Sequence, residues 1–262
     1  IREHGQEAAD QLIRELRRQD LLDCAPDLLP VPQTIHNVIE RRLADLNAKA
    51  LQVLEAAAVL NPELDFEVLR ATTGRDEQEV SDGFDQLVEH QLLLLNEKGV
   101  SFHHSIVQAA VYAGLNPWRR RLLHKRAAEA LVRLGRQRGR YLHAAVAAHF
   151  AAAGNEQIAL YYYCKAAQAA SAHASARMAV QYAQHGLRLA GVATARQLAA
   201  DLWEALGDGL AMLGQLSDAL EAYASALARL ALAETLQTAG LIAKRANALV
   251  LQPDGKIVIA GQ

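Results

Sequence analysis

His103 and His104 are neighbours in the chain. Imidazoles are the side chains best suited to hold a metal ion or relay a proton near neutral pH. Their surroundings, "LLLLNEKGVSFHH" (92–104), read as two short apolar runs about a turn at Lys98-Gly99. Neighbours on a strand point to opposite faces, so the pair is not expected to chelate one ion together from there. The other eight histidines include no pair at i+3 or i+4, and H-E-x-x-H is absent. The expectation is therefore structural. Phe102 turns into a core, one histidine caps or packs where a hairpin hands over to a helix, and His104 and Tyr112 belong to that junction.

Other chemistry fares no better. "GVSFH" (99–103) is half of a nucleophile elbow, without the second glycine or the strand-to-helix context that the motif needs. Neither G-x-x-x-x-G-K-[ST] nor G-x-G-x-x-G occurs. No catalytic constellation, metal site or cofactor site is expected in this chain. The strongest charge feature is the stretch 116–143, where nine cations face one acid, Glu129. Arg119, Arg120 and Arg121 lie near a helix start, where the macrodipole disfavours cations, followed by Lys125 and Arg126. A dock for an acidic surface is the functional reading of these five residues, and a solvated face is the plain one. That acidic surface could belong to another domain or to the helix at 76–90 of this chain, and nucleic acid binding through 116–143 is a third option.

These groups must be carried by helices. The 262 residues are 52% apolar, 21% charged and only 5% aromatic. Alanine dominates the second half, which favours closely packed helices over a thick β core. A net charge of −2 gives no global pull toward nucleic acid or membrane. No apolar run reaches the roughly 20 residues of a membrane span. Cys24 and Cys164 have no disulfide-framework or zinc spacing, as expected of a reduced, cytoplasmic protein. The opening "IREHGQEAADQ" has neither Met nor a signal-peptide pattern, so a piece of a longer protein is expected.

Along the chain, "DQLIRELRRQDLL" (10–22) reads as an amphipathic helix, and three prolines in "PDLLPVP" (26–32) read as a linker. Asn47, Asp65 and Asp76 are placed to cap three successive helices, Asp76 and Glu79 in capping-box spacing. Helices followed by a hairpin give the order of a winged helix, over 31–115. The helix that would enter a DNA groove, 76–90, carries six carboxylates and no lysine or arginine, which disfavours nucleic acid there. From 116 the chain reads as helices, with Asn116-Pro117 opening the first and Gly135 able to end it. Gly139, Gly154, Gly191 and Gly214 separate those that follow. In "WEALGDGLAMLGQLSDALEAYASA", Trp203, Leu206, Gly207, Leu210, Ala219, Tyr223 and Ala226 fall in the tetratricopeptide pattern of about 34 residues. Small residues at Gly207 and Ala219 would let two helices approach, and large ones would fill the groove. "LVLQPDGKIVIAGQ" (249–262) reads as strand, turn, strand.

The segment "LPVPQTIHNVIERRLADLNAKALQVLEAAAVL", the step "VSFHHSIVQAAVY" and the helix "RRRLLHKRAAEAL" resemble, in that order, the region that follows the nucleotide-binding core of bacterial signal-transduction ATPases with numerous domains (STAND type). His104, Tyr112 and His124 fall on matched positions. The resemblance covers roughly residues 12–190, and the repeats extend it to about 230. It implies a mainly α chain: 1–30 from a preceding domain, 31–115 a winged helix, 116–248 tetratricopeptide-like repeats and 249–262 a β-hairpin-like tail. It also implies a protein or peptide partner on the repeats, and ATP/ADP with Mg only in an upstream nucleotide-binding domain that this sequence lacks. Asn61-Pro62 replaces the glycine usual after "AAVL".

Overall fold

A computed structural model describes residues 39, 41–62, 64–96, 99–139, 142–191, 196–230 and 239–245. The fold is mainly helical with one small two-stranded sheet. The expected helix at 10–22, the linker and the tail at 249–262 lie outside the described residues. Among the described residues no helix is long and apolar enough to cross a membrane. The chain forms two compact units, Ile1–Asn61 with Asp76–Leu115, and Pro62–Arg75 with Asn116–Gln262.

In the first unit, α1 (Ala48–Leu60) starts where the Asn47 side chain accepts from the Ala50 N–H at 2.8 Å. Its alanine-rich sequence lets a neighbour approach. A Cβ on Gly83 of a second helix would lie 3.3 Å from the Ala50 backbone. That second helix, Glu77–Glu89, is opened by Asp76, which accepts from the Glu79 N–H, and buries Val80, Phe84 and Leu87. The strands β1 (Leu93–Asn96) and β2 (Gly99–Phe102) pair antiparallel, with Leu93 opposite Phe102. The helix Ser105–Gly114 packs on α1, and Gln108 Nε2 donates to the Ala58 carbonyl at 2.9 Å.

The second unit takes the short helix between these elements. In chain order the helices are α2 (Phe66–Thr73), α3 (Glu77–Glu89), α4 (Ser105–Gly114) and α5 (Pro117–Arg138). They are followed by α6 (His143–Ala152), α7 (Glu156–Ala172), α8 (Ala176–Leu189), α9 (Arg196–Met212) and α10 (Leu216–Leu227). Expected within 31–115, α2 packs instead on α5. At its start Asp65 accepts from Arg138 at 2.9 Å, and at its end Arg126 donates to the Thr73 carbonyl at 3.0 Å. Two arginines twelve positions apart on α5 thus grip both ends of α2, which makes the two helices antiparallel. The α5 helix runs through a buried Gly135, expected as its end, to the left-handed Gly139 at φ 61°. A glycine inside a helix needs only helical dihedrals, so composition alone does not stop the helix there.

From α5 to α10 each helix packs on the next, and α7 also packs on α9. Gly154 and Gly214 turn the chain with positive φ, and Ala174 does the same at φ 54° between α7 and α8, where no glycine marks the break. The later helices meet at glycines. A Cβ on Gly207 would lie 2.6 Å from Tyr223 Cδ1, and one on Gly186 would lie 2.8 Å from Leu202 Cδ2. Leu206, Leu210, Ala219, Tyr223 and Ala226 share one buried cluster, with Trp203 packed against it.

Candidate partner-binding surfaces

The strand β2 ends at Phe102, so the alternation expected to separate His103 from His104 does not reach them. Their rings meet, Nδ1 of His103 3.0 Å from Nε2 of His104, and both are exposed. Of the two expected roles the histidines pack rather than cap: His104 stands at the N-cap of α4 without a side-chain cap bond, and Phe102, expected in the core, is half-buried. Tyr112, also half-buried, sits in the last turns of α4. Burial pulls the His104 pKa down, helped by His103 and Arg42. Among the described residues no three metal-ligating side chains gather.

Within the basic stretch the cations stand in different surroundings. Arg126 and Arg138 hold α2, as above. Lys125 pairs with Glu129 at 3.9 Å, Arg121 is exposed, and Arg119 and Arg120 are half-buried. The Arg119 backbone N–H donates to the Asn116 cap at 2.7 Å.

The repeat-packing residues do come together, and behind them stands a polar arrangement that the motifs above do not single out. Asp201, Glu204 and Asp208 recur at i, i+3 and i+7 on α9, one helix face. With Gln168 and Ser171 of α7 they line a groove of about 410 Å³. Lys244, in the helical residues 239–245, enters this acidic face. Its Nζ lies 2.8 Å from Glu204 Oε1 and 2.7 Å from Asp208 Oδ2. Tyr223 donates to the other Asp208 oxygen at 2.9 Å. Burial lowers the Lys244 pKa, but Asp208 and Glu204 outweigh it and hold the ammonium above its ordinary value. Burial and then the Asp208 charge raise the Tyr223 phenol. The i, i+3, i+7 acids are legible in "DLWEALGD". Their occupant is not, because Lys244 lies 36 residues beyond Asp208.

A second polar pair is buried nearer the start of this unit. His124 of α5 and His149 of α6 are 7% and 6% exposed, with their Nδ1 atoms 2.8 Å apart. One Nδ1 must donate and the other accept, so the two rings cannot both be charged, and as a neutral pair they take opposite tautomers. Burial pushes both pKa values down to about 4, His124 also through Arg120 and His149 through His124. No local spacing foretells this pair across 25 residues. The only hint is a histidine at a buried position of an alanine-rich run, "HAAVAAHFAA". Cys164, buried, has its thiol pushed up to about 12 by burial and then by Asp201, which removes it as a nucleophile.

Comparison with known proteins finds no match: no family model, no curated protein and no solved structure matches the chain.

Proposed function

We propose that this chain is a non-catalytic, partner-binding regulatory region of a cytoplasmic STAND-type signalling ATPase. In this reading α5 to α10 are tetratricopeptide-like repeats that take a basic segment of a protein partner. The hairpin-bearing unit is a winged helix that couples them to an upstream nucleotide-binding core. One observation carries the partner reading: two carboxylates of α9, one helical turn apart and both lining the groove between α7 and α9, already accept a cationic side chain, Lys244. A lysine or arginine presented by a partner would meet the same acceptors and Asp201 beside them. The domain order in the sequence supports the coupling. A free-standing adaptor with the same groove is the second reading. Nucleic acid binding through 116–143 is disfavoured by the engagement of Arg126 and Arg138 with α2.

The test uses a helical peptide with lysines four residues apart, titrated against the whole chain by calorimetry. Binding should weaken at least about tenfold in the Asp201→Asn/Glu204→Gln variant and tighten in Lys244→Ala, since each tenfold is only about 1.4 kcal/mol. Binding indifferent to all three changes rejects the groove. Reading the gene upstream of the Ile1 codon tests the coupling: an in-frame P-loop supports the switch, and an immediately preceding start codon leaves the adaptor.

A further inference from the structure

Between α5, α6 and α7 lies a cavity of about 310 Å³ that the partner reading does not use. Its size is at the lower end of small-molecule sites. Tyr161 and Tyr162 of α7 supply aromatic wall, and Leu131 of α5 supplies apolar floor. Arg136 of α5 and Lys165 of α7 bring two cations to it, and none of its lining side chains is a carboxylate. His143, the first residue of α6, completes the polar side. The ring of Tyr162 lies 6.0 Å from that of His143 and 5.9 Å from a stacked Phe150. Lys165 Nζ stands 5.6 Å from the Tyr161 ring centroid, so a cation is already poised at the aromatic wall.

The opening end of α6 adds to this field. Its N-cap, Leu142, also lines the cavity and has no side-chain acceptor for the first-turn N–H groups. A helix start carries partial positive charge that favours an anion. The fold thus sets two cations and a helix start around a pocket whose remaining walls are apolar and aromatic. Among the described residues no packing comparable to that between α7 and α9 joins α5 to α7, which is why space remains between them.

We propose that this cavity binds a small aromatic carboxylate, its ring against Tyr161 and Tyr162 and its carboxylate between Arg136 and Lys165. Arginine offers the planar fork that matches a carboxylate, and lysine adds a point charge. His143 contributes as a neutral hydrogen-bonding wall near pH 7, because burial and then Lys165 lower its pKa. The proposal does not depend on the acidic groove or on an ATPase core.

The experiment titrates the whole chain with 1-naphthylacetate, and in parallel with 1-naphthylethanol and 1-naphthyl phosphate, by calorimetry. Saturable one-to-one binding of the acetate is expected, with the neutral alcohol at least about tenfold weaker. The Arg136→Gln/Lys165→Gln variant should lose that preference. Both side chains are exposed, so the variant should keep its helical circular dichroism. The Arg133→Gln variant, an exposed cation of α5 that does not line the cavity, should bind as the parent does. Equal binding of acetate and alcohol, unchanged binding in the double variant, or no saturation up to about 1 mM overturns the proposal. A phosphate that outbinds the acetate overturns the carboxylate assignment.

Discussion

Around α5 and α6 the buried polar groups are two imidazoles that stay in the core by shedding charge. Around α9 and α10 they are Lys244, Asp208 and Tyr223, an ammonium and a neutral phenol that both donate to one carboxylate. The sites also differ in exposure. His124 and His149 are only 7% and 6% exposed, whereas the side chains of Lys244, Asp208 and Glu204 keep 39%, 27% and 24% of their surface. A lone buried charge is costly, so a fully enclosed pair is stable only as neutral donor and acceptor. A half-exposed triad can remain ionised because water still reaches it. The difference follows burial: the enclosed imidazoles are held below their ordinary pKa and the half-exposed ammonium above it.

The sharpest way to break that contrast is acid. Both histidines have folded pKa values near 4 against an ordinary 6.5. Their contribution is therefore complete above about pH 6.5 and is lost between 6.5 and about 4, as the unfolded chain takes up protons that the folded one refuses. Linkage sets the ceiling at about 1.4 kcal/mol per pH unit per histidine. Urea unfolding at a series of pH values should show this slope, and the His124→Leu/His149→Leu variant should flatten most of it. A slope unaltered in that variant would mean that other groups carry the acid sensitivity. The Lys244 clamp has the opposite sign. Its raised pKa gives stability that is fully present below the ordinary lysine value and lost only as pH rises through the folded one.

Next in size is a purely steric test of why the later helices close and the earlier ones leave a cavity. Gly207→Ala would drive a methyl group into the Tyr223 ring. Overpacking of this kind costs about 1–3 kcal/mol, against up to about 1 kcal/mol returned by better helix propensity. Gly207→Val, bulkier and β-branched, should be worse than Ala. The control is Gly114→Ala, where an added Cβ meets nothing within 4 Å, which should be neutral within about 0.5 kcal/mol. Chemical denaturation compares them, and equal midpoints for Gly207→Val and the parent would show that Tyr223 is not a tight neighbour.

These same residues show how far the chain could be read before its structure. Caps at Asn47, Asp65, Asp76 and Asn116 and the hairpin about Gly99 follow from local chemistry, so they were legible. So was the close approach at Gly207, because a glycine in a helix beside a large aromatic spacing has few other uses. The partnership of α2 with α5 was not, because it rests on Arg126 and Arg138, more than fifty residues away in sequence. Charge counting leaves those arginines as a solvated face or a dock for an acidic surface, without naming Asp65 or α2. The meeting of His103 and His104 was missed because the strand was expected to run one residue further. The acidic groove was half legible, as an i, i+3, i+7 pattern without its lysine.

The smallest effect expected is also the most informative about the clamp. Asp208 uses one oxygen for Tyr223 and the other for Lys244, so the two bonds are coupled through a single carboxylate. Tyr223→Phe removes a hydrogen bond to a charged group, and Lys244→Met removes an ammonium but keeps most of the packing stem. Each should cost roughly 1 kcal/mol, at the low end because the site is half-exposed. If the carboxylate is held in place by both partners, the double variant should differ from the sum of the single variants by at least about 0.5 kcal/mol, the usual limit of additivity for distant sites. Strict additivity would mean that Asp208 keeps its position without either partner. The groove would then be preformed, and vacating Lys244 would free the two acceptors without loosening α9.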